Sequence, residues 1–340
     1  MSRPSAIPTD HIDPTKILSR FSWIATPNQN AVLSPDSDGF LCGLFMSKFL
    51  GWKIVGFYDG KVLLIKRDVS ASNAIFLDME VYRPSIRSVG QHMLMYHKNH
   101  VPRPWAHHLQ HCMNPNELRG FDVVHDFQAK YPLATIHWLM GLLGPRVGLT
   151  IPDSAIAPLL FTDGTYMNLF GYTENVLNWI RYLGADIENH SLHRLFCDQR
   201  LTVPGVMNMM VEFFRKRNEI SAPKERGDRL KVSRNKDGVA TNVVRDAQGV
   251  YSIAANARGR AVRFIGLLGE LTGWHYQATD WTWDGLVLHQ FSKGELGASK
   301  KTRLNLAHYG KTMRGEPLSF AFTAGNRMEY TKGHPARLPL

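Results

Sequence analysis

Asp36 and Asp38 stand one residue apart in SPDSDG, immediately before a long apolar run. At the carboxyl end of a strand, two carboxylates at i and i+2 can lean toward one divalent cation, because ligands in open α/β sheets gather at that edge. Alone, the pair reads equally well as an acidic surface turn. Two further aspartates occupy the same kind of position: Asp78 closes NAIFLD and Asp163 closes APLLFTDG. Three apolar segments ending in aspartate can deliver four carboxylates to one rim of a sheet or helix bundle. An oxygen-rich set of this kind suits magnesium or manganese, and an imidazole would tilt it toward manganese.

The elements that must position these groups follow from periodicity and punctuation. AVLS (31–34) reads as a short buried strand and GFLCGLFMSKFL (39–50) as a buried helix stopped by Gly51. WKIVGF, KVLLIK and NAIFLD read as strands separated by turn signals such as YDGK. The stretch from 121 to 200 reads as helices at 134–144, 154–161, 173–184 and 191–198, with Thr173 as an N-cap and Gly184 as a left-handed stop. Between 97 and 120 lies a polar, proline-bearing loop rich in histidine. In it, His107 and His111 have the spacing of one helical face and read as surface or phosphate-contacting histidines or as half of a metal site. His137, in an apolar helix, reads as a satisfied core histidine, and His125 beside Asp126 as structural.

VPGVMNMMVEFFRKRNEI (203–220) reads as a helix whose methionines and phenylalanines are core contacts. SAPKERGDRLKVSRNKDG (221–238) reads as a basic linker, and 238–330 as a smaller α+β region. The expected organisation is an N-terminal extension (1–25), a metal-bearing α/β domain (26–200), a connecting helix and linker (201–237) and a basic domain (238–340).

Charge is distributed unevenly. Residues 201–340 carry 22 Lys+Arg against 12 Asp+Glu, whereas residues 1–200 carry 18 against 17. Concentrated positive charge is the footprint of a chain that meets phosphates. In the basic region Arg258, Arg260 and Arg263 form one cluster and Lys300, Lys301 and Arg303 another, with Trp274, Tyr276, Trp281 and Trp283 between them. Aromatics interleaved with cations can stack single-stranded bases, although tryptophans in a small domain also serve as core. Three scattered cysteines suggest neither disulfides nor a thiolate metal site, and there is no apolar stretch of spanning length; a cytoplasmic protein without a membrane partner is expected.

The order PDSDG, helix, FLD, a histidine, an Ala-Thr helix and FTDGT resembles the DHH phosphoesterase superfamily, over about residues 30–186. Asp36, Asp38 and Gly39 match its first motif in the RecJ-like form, Asp78 is similar to the second-motif aspartate, and Asp163 to the fourth. The third motif reads Gly90, Gln91, His92 here, so only its final histidine is kept. The resemblance implies a DHH-like parallel-sheet domain followed by a smaller α+β domain. It further implies a metal site of Asp36, Asp38, Asp78 and Asp163 for Mn2+ or Mg2+, with His92 as ligand or phosphate contact.

Such a site would hydrolyse phosphoesters by activating a water and neutralising phosphoryl charge. Arg83 and Arg87, between Asp78 and His92, would offer forked contacts to a phosphate, and read equally well as exposed surface arginines. The expected partners are single-stranded nucleic acid, a short oligonucleotide or a nucleotide, with a homodimer or protein partner also open. Two alternatives stand beside this hydrolase: a catalytically degraded DHH-like scaffold that binds nucleic acid or a protein, and a haloacid dehalogenase-like phosphatase using the Asp-x-Asp-Gly opening.

Overall fold

The computed structural model describes residues 10–221, 227–299 and 302–332. Five strands, β1 (Asn30–Leu33), β2 (Lys53–Tyr58), β4 (Ala74–Leu77), β5 (Arg87–Val89) and β6 (Cys112–Met113), run parallel, and β3 (Val62–Lys66) returns antiparallel beside β2. β1 and β4 are buried along almost their whole length, as expected of central parallel strands covered on both faces.

The sheet does not stop at the acidic half. A short pair, β7 (Ser233–Arg234) with β8 (Val239–Ala240), precedes β9 (Val243–Arg245), β10 (Tyr251–Ile253) and β11 (Leu286–Gln290). β11 pairs antiparallel with β3, giving one nine-stranded mixed sheet in the order β6-β5-β4-β1-β2-β3-β11-β10-β9. Strands drawn from beyond residue 238 therefore complete the first sheet. A smaller antiparallel sheet holds β12 (Ser292–Leu296), β13 (Phe320–Ala324) and β14 (Arg327–Lys332) in the order β12-β14-β13. The architecture is α/β with a large mixed sheet, helices and a smaller sheet.

β1 leads through helix Ser37–Leu50 to β2 on one side, while β4 lies on its other side. Strand order thus reverses between β1 and β4, which opens a crevice beyond their carboxyl ends. The helix is buried through its first three turns and stops at Gly51, whose φ of 66° suits glycine. It packs against helices Thr135–Val147 and Ala255–Thr272. Its start depends on Gly39: a Cβ there would lie 1.9 Å from the Ser34 carbonyl oxygen, a backbone atom that cannot step aside. Gly39→Ala is expected to destabilise the fold by about 3 kcal/mol or more, as overpacking against rigid backbone does, read as a lowered denaturation midpoint with unchanged slope.

Several local expectations are revised. Thr173 is the first helical residue of Thr173–Leu183 and Tyr172 its cap; the Thr173 hydroxyl turns back to the Leu169 carbonyl. Helix Val203–Ile220 forms where expected, but only Met210 and Phe213 are buried, while Met207 and Val211 face solvent.

Part of the basic stretch, residues 222–226, lies outside the described residues. The rest is no free linker: Leu230 and Val232 are buried, and the Leu230 amide donates to the Pro35 carbonyl at 2.8 Å. Trp274, Trp281 and Trp283 are core rather than a stacking platform. Trp274 meets Phe45 at 5.3 Å, Trp281 meets Phe40 at 6.3 Å and Trp283 meets Phe57 at 5.2 Å. Tyr276 is partly buried against Trp281. These rings fasten the 274–283 segment to helix Ser37–Leu50 and to β2.

Candidate metal centre

Three neighbouring parallel strands discharge their next residues into the crevice. Asp36 and Asp38 follow β1, Asp78 follows β4, and Gly90, Gln91 and His92 follow β5. Asp163 comes from the opposite wall, where helix Ile156–Phe161 ends. Both Asp78 and Asp163 hold left-handed backbone, at φ 59° and 51°. Aspartate tolerates this conformation better than most residues, and at these positions it turns the chain sharply after an apolar element.

Ligand atoms of Asp78, His92 and Asp163 lie within 4.8 Å of one another, so acidic and imidazole groups are positioned to bind a metal ion. Asp38 adjoins them, fully buried at the start of helix Thr135–Val147. Its Oδ2 accepts from the Thr135 amide at 2.7 Å and its Oδ1 from the Ile136 amide at 3.0 Å. Free amides at a helix start attract a carboxylate in this way. Thr135 also donates its hydroxyl to Asp78 Oδ1 at 2.8 Å, bridging the two acids. Asp36 has a structural occupation: it caps helix Ser37–Leu50 by accepting from the Gly39 amide at 3.3 Å.

The electrostatics show a cluster short of positive charge. Burial, then the neighbouring Asp38 and Asp163, push the Asp78 carboxyl well up from its ordinary range. Asp38 is raised chiefly by burial, partly offset by hydrogen bonding to Asp78 and to the helix amides. Asp163, 27% exposed at its side chain, is pushed to about 7 by burial and by Asp38. Burial alone would lower His92, but Glu80 and Asp163 outweigh it and hold the imidazole up at about 9. Carboxylates crowded in this manner must share protons or a cation, and a divalent ion fits the donor set.

Glu80 was not legible as part of this centre. It is 2% exposed, accepts from the Met93 amide at 2.9 Å and the Asn114 amide group, and presents Oε2 to His92 Nδ1 at 3.7 Å. His92 Nε2 then faces Asp163 at 3.8 Å. Glu80 thus orients the ring, and Gly90 lets it approach, since a Cβ there would lie 2.5 Å from its carboxylate. Gln91 donates its side-chain amide to Asp163. The only sequence signal for Glu80 was its place two residues after Asp78.

The basic residues separate into different roles. Arg83 is buried and donates to the carbonyls of Tyr82, Glu316 and Pro317, which makes it a clamp between segments. Arg87 reaches Gln29 at 3.2 Å. Arg258 pairs with Asp284 at 2.8 Å, and Arg258, Arg260 and Arg263 share helix Ala255–Thr272. Arg303 is exposed, and Lys300 and Lys301 lie outside the described residues. Arg229, inside the stretch read as linker, is exposed and bridges Asp36 through its backbone.

Among the histidines, His137 is a core residue as expected. It accepts from the Ala134 amide at 3.1 Å, contacts the Leu159 carbonyl at 3.1 Å and is lowered by burial to about 3. The helix carrying His107 ends at His108, which is buried against Tyr82, so His107 and His111 share no helical face. His125 pairs with Asp122 rather than Asp126.

Fold and site together define an α/β protein with acidic and histidine side chains positioned to bind a metal ion at a sheet switch point. No protein-family model matches the chain, and no curated protein or solved structure matches it. Among the described residues no helix is long and apolar enough to cross a membrane.

Proposed function

We propose that the chain is a metal-dependent phosphoesterase of the DHH type, acting on single-stranded nucleic acid, a short oligonucleotide or a nucleotide. The observation that carries this reading is the convergence of Asp78, His92 and Asp163 within 4.8 Å, backed by Asp38, at the carboxyl edge of adjacent parallel strands. Asp38, Asp78, Asp163 and His92 would hold Mn2+, or Mg2+, with Asp36 close by. The ion so held supplies Lewis-acid stabilisation of a phosphoryl oxygen and makes water more acidic.

The residues around it divide the remaining work. Thr135 keeps Asp38 and Asp78 at a fixed separation, and Glu80 fixes the His92 ring so that Nε2 faces the cluster. Asp38 and Asp78 line the buried wall, whereas Asp163 and the 43%-exposed His92 stand at the mouth where a phosphate would arrive. Arg229, exposed beside Asp36, is suited to a non-bridging phosphate oxygen.

A chelator-stripped preparation given Mn2+ is expected to cleave phosphodiesters in a panel of short single-stranded oligonucleotides and dinucleotides, and Asp38→Ala to abolish turnover. A protein that binds no manganese and cleaves nothing in that panel ends the hydrolase reading. A non-catalytic nucleic-acid-binding scaffold is the second reading, favoured by Gln91, whose amide occupies an Asp163 oxygen. Retained oligonucleotide binding without turnover would select it.

A further inference from the structure

A second convergence of ligand-type side chains lies outside this centre. After His92 the chain runs through Met95–Lys98 alongside Asp122–Val124: the Val123 amide donates to the Met95 carbonyl at 2.8 Å and the Val124 amide to the Tyr96 carbonyl at 3.2 Å. That pairing brings His97 against His125, with ring centroids 5.0 Å apart, and His100 against His97 at 4.6 Å. Asp122 is buried beneath them. Its carboxylate accepts from the Lys98 amide at 2.7 Å and the His125 amide at 2.6 Å, and Oδ2 lies 2.7 Å from His125 Nδ1. Ligand atoms of His97, Asp122 and His125 all lie within 4.8 Å of one another.

The chemistry of this set differs from that of the first. Two imidazoles and one carboxylate, open to solvent on one side, match the donors that borderline transition ions prefer, whereas a carboxylate-rich set prefers harder ions. The backbone amides that grip Asp122 fix one donor before any ion arrives, and Asp122 caps the turn that carries His125, so a second donor is held relative to the first. Lys98 is the nearby cation; its ammonium lies 3.4 Å from Asp126, on the neighbouring carboxylate rather than on Asp122. His97 Nδ1 accepts from the Asn99 amide at 3.2 Å, which leaves its Nε2 for an ion.

We propose that His97, Asp122 and His125 form a second cation site, selective for Zn2+ or a similar borderline transition ion, which ties the segment leaving His92 to the turn at Asp122–Asp126. The fourth position falls to water or to His100. Coordination through His125 Nδ1 would replace the hydrogen bond that this atom now makes with Asp122.

The test uses the full chain carrying Asp78→Asn, which disables the first centre, titrated calorimetrically with Zn2+ alone after removal of bound metals. One equivalent is expected to bind, and His97→Gln or His125→Gln to weaken it at least about 100-fold, the upper range for losing even an outer metal partner. His107→Gln, on an exposed histidine outside the cluster, should leave it unchanged. Co2+ in place of Zn2+ should give visible absorption that both cluster variants lose. Melting in the absence of metal checks that each variant is folded. Absence of Zn2+ binding, or binding equal in all three histidine variants, overturns the proposal.

Discussion

Asp78→Asn is expected to abolish phosphodiester cleavage, by about 10³-fold or more, while making the metal-free protein more stable. The two effects have one cause. Asp78 is 2% exposed, and burial with Asp38 and Asp163 nearby raises its carboxyl far above the ordinary range. Asparagine removes the charge yet keeps an oxygen able to accept from the Thr135 hydroxyl, which now meets Asp78 Oδ1 at 2.8 Å. Relief of an uncompensated buried group is worth roughly 1–3 kcal/mol. The same change deletes an anionic ligand, and with it the charge that holds a divalent ion. Denaturation in chelator and turnover in Mn2+ should therefore move in opposite directions. If the variant loses stability and activity together, Asp78 is a structural acid and the metal-centre reading fails.

The metal-free protein should also lose stability as pH rises from about 4 to about 9, and Mn2+ should reverse the trend. The folded carboxyls of Asp38, Asp78 and Asp163 hold protons more tightly than an unfolded chain, whose carboxyls titrate near 4. Between that value and the folded one, the native state binds more protons than the unfolded state, so stability falls with rising pH. For Asp163 that window closes at about 7. His92 acts in the same direction: raised from 6.5 to about 9, its contribution is complete below 6.5 and lost through 9. Melting in chelator should drop on the order of several °C between pH 5 and 8, with the half-exposed His92 contributing least per unit shift. The increment given by Mn2+ should grow over the same range, because the ion competes with those protons. A flat profile in chelator would mean that the acids are already compensated.

How much of this was legible in advance depended on the distance over which each feature is determined. The strand and helix order around Asp36, Asp38 and Asp78 follows from apolar runs and turn residues, and Gly51 and Gly184 stop their helices in left-handed backbone as their positions predict. Those are decisions made within one or two turns of chain, where side-chain period and glycine's missing Cβ act directly.

Only the tertiary structure decided what those elements meet. Thr135 joins two aspartates because the start of its helix abuts Asp38, nearly a hundred residues earlier in the chain. Glu80 orients His92 across adjacent strand ends, while Arg83, read as a phosphate contact from its place between Asp78 and His92, is buried by the segment around Glu316 and Pro317. The tryptophans of 274–283 leave the surface for the core because they pack on Phe40 and Phe45 of helix Ser37–Leu50 and on Phe57 of β2. The sequence by itself determined which residues can bind a cation and which local elements present them. Their convergence was decided by parallel crossovers and by backbone amides from remote helices, which supply hydrogen bonds that residue type does not encode.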